Sequence, residues 1–211
     1  MMKTIVINAS PRKTWNTAEI MQSAQKGAES VGAETEYFNL YDLVFTGCRS
    51  CLACKLKEKT KGKCYWRDDL QPVIEKILDA DALLIGSPIY FGQPTSEFRA
   101  LLERLIFCVM SYDDGSSYFT GKVNVGIFYT MNAPLEFYEQ SMKDSLSSTE
   151  FLFSFLNGEI VTYPVCDTIQ VSDYSKFNMA GFSQEAKEKQ WILQFPKDLE
   201  KAFEIGAELS K

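Results

Sequence analysis

Four cysteines between Cys48 and Cys64 form the densest group of reactive side chains in this 211-residue sequence. Cys48, Cys51 and Cys54 are each separated by two residues, and Cys64 follows after nine more. A CxxCxxC spacing lets successive thiolates converge on one cubic cluster, so a [4Fe–4S] centre held by Cys48, Cys51, Cys54 and Cys64 is one expectation. Four thiolates also suit zinc, but three ligands spaced two apart and a lone fourth differ from the paired knuckles of structural zinc sites. Lys55, Lys57, Lys59, Lys61 and Lys63 punctuate the long gap. Their charges would offset a tetrathiolate cluster and attract an anionic partner, although alternating lysines equally suit a solvated loop. Gly62 offers the turn that lets Cys64 reach back. Without a cluster, the first three cysteines become packed or redox-active thiols and Cys64 a bystander. Cys108 and Cys166 lie in or near apolar surroundings and read as buried thiols.

A second chemical feature is Asn8-Ala9-Ser10-Pro11-Arg12-Lys13-Thr14-Trp15-Asn16-Thr17, which joins an apolar β-branched run to a helical pattern. Unpaired backbone N–H groups at a helix start favour an anion. Ser10, Asn16 and Thr17 add donors, and Arg12 adds a charged fork suited to phosphate. Neither GxxxxGK[ST] nor GxGxxG is present. Local chemistry therefore leaves a phosphate site and an ordinary strand–helix connection with Ser and Thr caps both open.

The third feature is Ser87 to Pro94. Two prolines and a glycine confine its backbone, and Ile89, Tyr90 and Phe91 present an apolar and aromatic surface after a buried run. Such a loop could lie along a flat ring and aim amides at its polar edge, or its aromatics could simply pack under neighbouring loops. A further candidate loop, Thr130-Met131-Asn132-Ala133-Pro134, carries small and polar groups.

Histidine is absent. That excludes His–zinc sites, Ser-His-Asp or Cys-His pairs and imidazole proton shuttles. A bound cofactor would make the deficit unimportant. Twenty-two basic against 28 acidic residues give a formal charge of −6, which offers no general attraction for nucleic acid or an anionic membrane. No run approaches the roughly 18 apolar residues of a membrane span. Met1 to Asn8 is too short for a signal peptide, so a cytoplasmic location and reduced thiols are expected.

The elements that must position these loops alternate. Lys3–Asn8 reads as a buried strand, Thr14–Val31 as a helix with Ala18, Met21, Ala24 and Ala28 inward and Gly32 as its stop, and Glu34–Leu40 as a second strand. Asp69–Leu78 is the next helix, with Asp68 at its cap. Ala80–Gly86 is a strand ending at Ser87-Pro88, followed by a helix from Thr95 or Ser96 through Leu105. Lys122–Tyr129 and Glu159–Tyr163 are the fourth and fifth strands, flanking a long helix from Leu135 to Leu156. Residues 165–182 show no period and could be a loop over the site or a dimer contact. Ser183 caps a last helix to about Leu209, with a break expected near Phe195-Pro196. Continuous apolar strands separated by helices predict an α/β fold with a parallel sheet covered on both faces. Ligands then belong outside the carboxyl ends of the strands, where the strand order reverses.

Asn8-Ala9-Ser10-Pro11-Arg12-Lys13 with Asn16-Thr17, and Gly86-Ser87-Pro88-Ile89-Tyr90-Phe91-Gly92 followed by Arg99 and Glu103-Arg104, resemble the NADPH-dependent FMN reductase family and its iron–sulfur flavoprotein relatives. The resemblance runs in order over residues 3–164. It implies one flavodoxin-like, three-layer domain over 1–211, with a five-stranded parallel sheet in the order 2-1-3-4-5. A cysteine-rich loop at 47–65 and the irregular 165–182 would be its additions. It also implies FMN, with Ser10, Arg12, Asn16 and Thr17 around the phosphate, and Pro88, Ile89, Tyr90, Phe91 and Gly92 along the ring. Thr130 and Asn132 would border the ring's other side. Trp15 stands where the family often has glycine, and the 130–134 loop lacks the glycine pair common there. Iron–sulfur flavoproteins carry a compact cysteine motif after the second strand, usually with a shorter last gap. Arg99 and Glu103-Arg104 are expected to stabilise a helix or a subunit contact.

The activity so implied takes hydride from NAD(P)H through FMN to a small-molecule or redox-protein acceptor, with no side chain assigned as acid or base. Two alternatives stand beside it: an iron–sulfur flavoprotein reduced by a ferredoxin-like donor, and a non-enzymatic binding or scaffold protein of the same fold. Leu135, Tyr138, Met142, Leu146 and Phe153 form one apolar stripe, widened by Phe151, Leu152 and Phe155. A homodimer or higher homo-oligomer is the expected cover, the alternative being that residues 165–182 fold over the second stripe.

Overall fold

A computed structural model describes residues 1–57 and 60–211. Lys59 of the lysine series therefore lies outside the described residues. In chain order the main elements are β1 (Lys3–Asn8), α1 (Asn16–Ser30), β2 (Glu34–Asn39), α2 (Leu70–Leu78), β3 (Ala82–Tyr90), β4 (Gln93–Pro94) and α3 (Ser96–Val109). There follow β5 (Val123–Thr130), α4 (Leu135–Phe137), α5 (Lys143–Leu152), β6 (Asn157–Val165) and α6 (Gln184–Leu209). The parallel sheet runs β2-β1-β3-β5-β6, and the two-residue β4 pairs antiparallel with the end of β3. Leaving β4 aside, this is the expected order 2-1-3-4-5 of a flavodoxin-like sandwich.

Both sheet faces are dry. Ile5, Ile7, Leu83, Ile85, Val125 and Ile127 point toward α2, α3 and α5, while Val6, Leu84 and Phe128 point toward α1 and α6. The uninterrupted apolar strands thus serve two cores at once. Burying each large aliphatic or aromatic side chain contributes about 1.5–3 kcal/mol, which is what holds the loops at the sheet's edge in place. α1 and α6 approach backbone to backbone. A Cβ on Gly27 would lie 1.9 Å from the Phe203 carbonyl oxygen, and one on Gly206 2.0 Å from that of Ala24.

Three expectations are corrected. β3 does not end at Ser87-Pro88 but runs to Tyr90, pairing with β5 as far as Pro88 opposite Thr130 and then with β4. β1 stops pairing at Gly86, so Pro88 lies on a locally free edge, where the missing N–H costs no ladder bond. The helix expected over 135–156 is interrupted by a wider π turn at Tyr138–Met142 and tightens to 3-10 geometry at Phe153–Leu156. That turn rotates the stripe, so Tyr138, Leu146 and Phe153 are buried while Leu135 is exposed. α6 passes through Pro196 without a break. The carbonyl that Pro196 leaves without an N–H belongs to Ile192, a residue on the exposed face, where water can satisfy it. Among the described residues, no helix is long and apolar enough to cross a membrane.

Candidate functional site

The strand order reverses between β1 and β3, and the loops leaving β1, β3 and β5 surround one cleft open to solvent, with about 540 Å³ of space. Each loop is held by polar contacts that the strands deliver. At the end of β1, Asn8 Oδ1 accepts the Ser10 N–H (3.0 Å) and Asn8 Nδ2 donates to Asn39 Oδ1 (3.0 Å). Ser10 Oγ accepts the Arg12 N–H at 3.1 Å. These local bonds fold the chain so that the first turn of α1, with its outward backbone N–H groups, opens onto the cleft. Thr17 Oγ1 and Thr130 Oγ1 share a buried hydrogen bond of 2.7 Å across the cleft floor.

The β3 side is equally fixed. Ser87 Oγ accepts the Thr95 N–H (3.0 Å), and Thr95 Oγ1 both accepts from Phe98 N, capping α3, and donates to the Ala9 carbonyl (2.8 Å). One threonine thus joins the first loop, the second loop and a helix start. Pro88, Ile89 and Tyr90 line the cleft. Phe91 and Gly92 do not: they form the two-residue turn between β3 and β4, both at positive φ (52° and 76°), and Phe91 is fully exposed. A left-handed phenylalanine is uncommon. The two-residue hairpin imposes that backbone and turns the ring outward, so neither Phe91 nor Gly92 lines the cleft.

On the third side, Asn132 Nδ2 donates to Gln170 Oε1 at 3.1 Å. Its Oδ1 is buried and has no hydrogen-bond partner among the described residues. An orphaned acceptor of this kind is costly unless a ligand donor meets it.

Ser10, Arg12, Asn16, Thr17, Thr130 and Asn132 all line the same cleft. The sequence left the fourth wall open, offering residues 165–182 as a loop over the site or a dimer contact. Thr168, Ile169 and Gln170, from the stretch that showed no period, cross the cleft, and Trp15 joins them there. The Ile169 carbonyl accepts from Trp15 Nε1 (3.0 Å) and Asn16 Nδ2 (2.7 Å), and the Gln170 carbonyl accepts from the Arg12 guanidinium. Arg12 also lies over the Trp15 ring, 5.6 Å from its centroid. Residues 168–170 therefore form a loop over the cleft, and Phe151 of the α5 stripe stays exposed. No sequence signal announces contacts made through backbone carbonyls.

The cysteine loop lies elsewhere, against α3. Cys48, Cys51, Cys54 and Cys64 line one open recess of about 330 Å³, together with Cys108, Trp66 and Arg104. As placed, no three metal-ligating side chains among the described residues come together closely enough to hold a metal ion. The four thiols thus share a recess without forming a ligand set. Arg104, almost fully buried, organises the loop: it donates to Cys64 Sγ (3.4 Å), the carbonyls of Thr46 (3.2 Å) and Trp66 (2.9 Å), and Asp68. Asp68 meanwhile uses its other oxygen on the N–H groups of Leu70 and Gln71, the cap expected for α2. Burial opposes the Arg104 charge, and Asp68 and Cys64 overcome it, holding the guanidinium above its ordinary range.

Lys55 is fixed against α3. Its ammonium donates to the Phe107 and Met110 carbonyls at the end of α3 and sits among the rings of Phe107, Tyr112 and Tyr118. Gly62 makes the expected turn at φ 77°, its N–H reaching the Cys54 carbonyl at 3.1 Å. Burial pushes the Cys54 thiol up, and pushes Cys108 up to about 12. Cys166, away from the recess, is likewise pushed up to about 12 by burial, which disfavours the thiolate of both Cys108 and Cys166.

A family model for NADPH-dependent FMN reductases matches residues 2–151. The chain belongs to that family. Its flavodoxin-like oxidoreductases are related to iron–sulfur flavoproteins, and two such relatives illustrate the link. An iron–sulfur flavoprotein of Methanocaldococcus jannaschii is 35% identical over 103 residues, covering 49% of this chain and 51% of that protein. One from Archaeoglobus fulgidus is 37% identical over 103 residues, covering 49% and 48%. The chain thus aligns with about half the length of the curated relatives it matches. Among solved structures, an NAD(P)H:quinone oxidoreductase from Methanothermobacter marburgensis superposes with a TM-score of 0.71 at 15% identity, over 100% of this chain and 98% of that one. An FMN-dependent NADH-azoreductase from Bacillus anthracis gives 0.64 at 12% identity, over 100% of both chains. At such identities these two establish the shared fold, and the family membership rests on the sequence match.

Proposed function

We propose that this member of the FMN reductase family is an FMN-dependent oxidoreductase that takes hydride from NADPH or NADH and passes electrons to a small-molecule or redox-protein acceptor. One observation carries the reading: donors and an orphaned buried acceptor from three strand-end loops converge on a single cleft. Arg12, Asn16, Ser10 and Thr17 at one end suit a phosphate monoester. The Pro88–Tyr90 edge and Asn132 at the other suit a flat heterocycle, with Asn132 Oδ1 available to a ring imide N–H. These residues fit FMN, which when bound supplies the redox chemistry itself. The protein's share is binding, orientation and exclusion of water. No side chain needs to act as acid or base, consistent with a chain that lacks histidine.

The deciding experiment mixes flavin-loaded protein anaerobically with NADPH or NADH. Stoichiometric bleaching of the visible flavin band within seconds supports the reading. No bleaching by either nucleotide, with rapid reduction by reduced ferredoxin, overturns it in favour of an electron-transfer flavoprotein. Failure to bind FMN saturably leaves a non-enzymatic scaffold.

The names of the matched relatives favour a second reading, an iron–sulfur flavoprotein with a [4Fe–4S] centre on Cys48, Cys51, Cys54 and Cys64. The thiols surround one recess but do not converge as placed, so no electron path is drawn through it. Iron and acid-labile sulfide after anaerobic purification, repeated on Cys64→Ala, decide it: about four of each per chain, lost in the variant, would establish the centre.

Residues 1–211 are proposed to form one FMN-binding domain that works in the cytoplasm, where its six free cysteines stay reduced. Exposed Leu135, Phe137 and Phe151 favour a homodimer or higher homo-oligomer. Sedimentation showing only single chains at micromolar concentration would overturn that.

A further inference from the structure

The strap that crosses the cleft lies beyond residue 151, where the family match ends. Its base is anchored to the loop after β5. The Asp167 N–H donates to the Ala133 carbonyl (2.9 Å), and Thr168 directs both its N–H (3.0 Å) and its hydroxyl (3.1 Å) at the Met131 carbonyl. Its tip meets the phosphate loop, where the Ile169 and Gln170 carbonyls accept from Trp15, Asn16 and Arg12. A guanidinium has five N–H donors in a rigid fork, so committing one edge to Gln170 sets where the others point. Asn16 Nδ2 keeps a second N–H in the same way.

Lys187, in the first turn of α6, fixes this arrangement from behind. It is 9% exposed and does not line the cleft. Its ammonium donates to the Asp167 carboxylate and to the Asn132 carbonyl, binding α6, the strap and the β5 loop at one point. Asp167 has φ 60°, a left-handed backbone that a non-glycine residue adopts at a cost. The ion pair to Lys187 and the bond to Ala133 hold it there.

We propose that Lys187, acting through Asp167, is a positioning residue for phosphate recognition: it sets the 167–170 strap against the phosphate loop, and the strap aims Arg12 and Asn16 at the phosphate of bound FMN. This rests on the FMN reading above. Affinity gained by preorganising donors is lost when the element that orders them is freed. Because the strap tip touches the phosphate end, the loss should be selective. Riboflavin presents the same ring and ribityl chain without the phosphate, so it separates positioning of the phosphate loop from general damage to the cleft.

The test titrates FMN and riboflavin into wild type, Lys187→Met and Lys187→Arg, following flavin fluorescence, with thermal melts to confirm folding. Lys187→Met should weaken FMN about tenfold, equivalent to about 1.4 kcal/mol, and leave riboflavin within about twofold. Lys187→Arg, which keeps the cation, should restore most of the difference. Trp15→Phe keeps an aromatic ring beside Arg12 but removes the bond to Ile169, and should show a smaller loss of the same selectivity. That variant and Asp167→Asn carry the test if Lys187→Met fails to fold. Equal losses for both flavins, or no loss for either, overturn the proposal. Wild type binding FMN no more tightly than riboflavin overturns the phosphate loop itself. Wild type binding neither flavin is a separate result: it overturns the FMN reading, and this proposal falls with it.

Discussion

The cleft and the cysteine recess are built in opposite ways. The cleft is assembled by the sheet. Asn8 and Thr130 close β1 and β5, Ser87 follows the last rung that β3 shares with β1, and the register Asn8–Gly86 and Pro88–Thr130 sets their spacing. The recess has no strand beneath it. Its thiols sit on a long excursion after β2, tied down by two cations: Arg104 from within α3, and Lys55 of the loop itself reaching the end of that helix. A site at the edge of a parallel sheet inherits precision from a core that folds anyway, whereas a site on an excursion is only as precise as its few polar tethers. That contrast separates the cleft, whose donors are set by strand register, from the recess, whose four thiols are set by side-chain tethers.

Breaking the recess should give the largest effect. Arg104→Met leaves Asp68 partly buried without its partner and releases the Thr46 and Trp66 carbonyls, so chemical denaturation should show a loss of about 3–5 kcal/mol. Adding Asp68→Asn should recover part of it. A cost below about 1 kcal/mol would mean that the loop is held by something other than α3.

Arg12→Ala probes the cleft. Removing a charged phosphate contact should weaken FMN by about 1.5–3 kcal/mol, read by fluorescence titration. Melting should barely change, because Arg12 is exposed. Thr17→Val should do the reverse in part: it leaves the buried Thr130 hydroxyl without its 2.7 Å partner and should cost about 1–2 kcal/mol of folding stability. If Arg12→Ala destabilised the fold as much as Arg104→Met, the contrast between the two regions would fail.

The smallest effect concerns α6 beneath the strap. Asp198 is buried, accepting from the Tyr163 hydroxyl (2.8 Å) and Gln194 Nε2 (2.8 Å). Burial, outweighing these two bonds, holds its carboxyl above the ordinary value of 3.8. A group whose folded pKa is raised contributes stability below its unfolded pKa and loses it as pH rises through the folded value. Wild type should therefore lose stability relative to Asp198→Asn as pH climbs above 3.8, a trend that paired thermal melts would show. Parallel melting curves across that range would mean that Asp198 is solvated.

Much of this architecture was legible because its signals are local. The β-branched Thr4-Ile5-Val6-Ile7 run, the stop at Gly32, and the caps at Asp68, Thr95 and Ser183 each depend on neighbours a few residues away. The misreadings are equally instructive. Pro88 ended β3 on paper, yet the strand continues because its first neighbour has already stopped. Pro196 was expected to break α6, yet the helix persists because the orphaned carbonyl faces water.

The sequence by itself determined the alternation of strands and helices, the parallel sheet, and which loops carry donors, because periodicity, capping and turn chemistry are properties of short windows of chain. Only the tertiary structure decided the fourth wall of the cleft and the recess that the four thiols share. Ile169 and Gln170 act through backbone carbonyls, which every residue possesses and no residue type advertises. Lys187 and Arg104 matter through partners 20 and 36 positions away, and such pairings exist only once the packed core has brought distant segments within hydrogen-bonding reach.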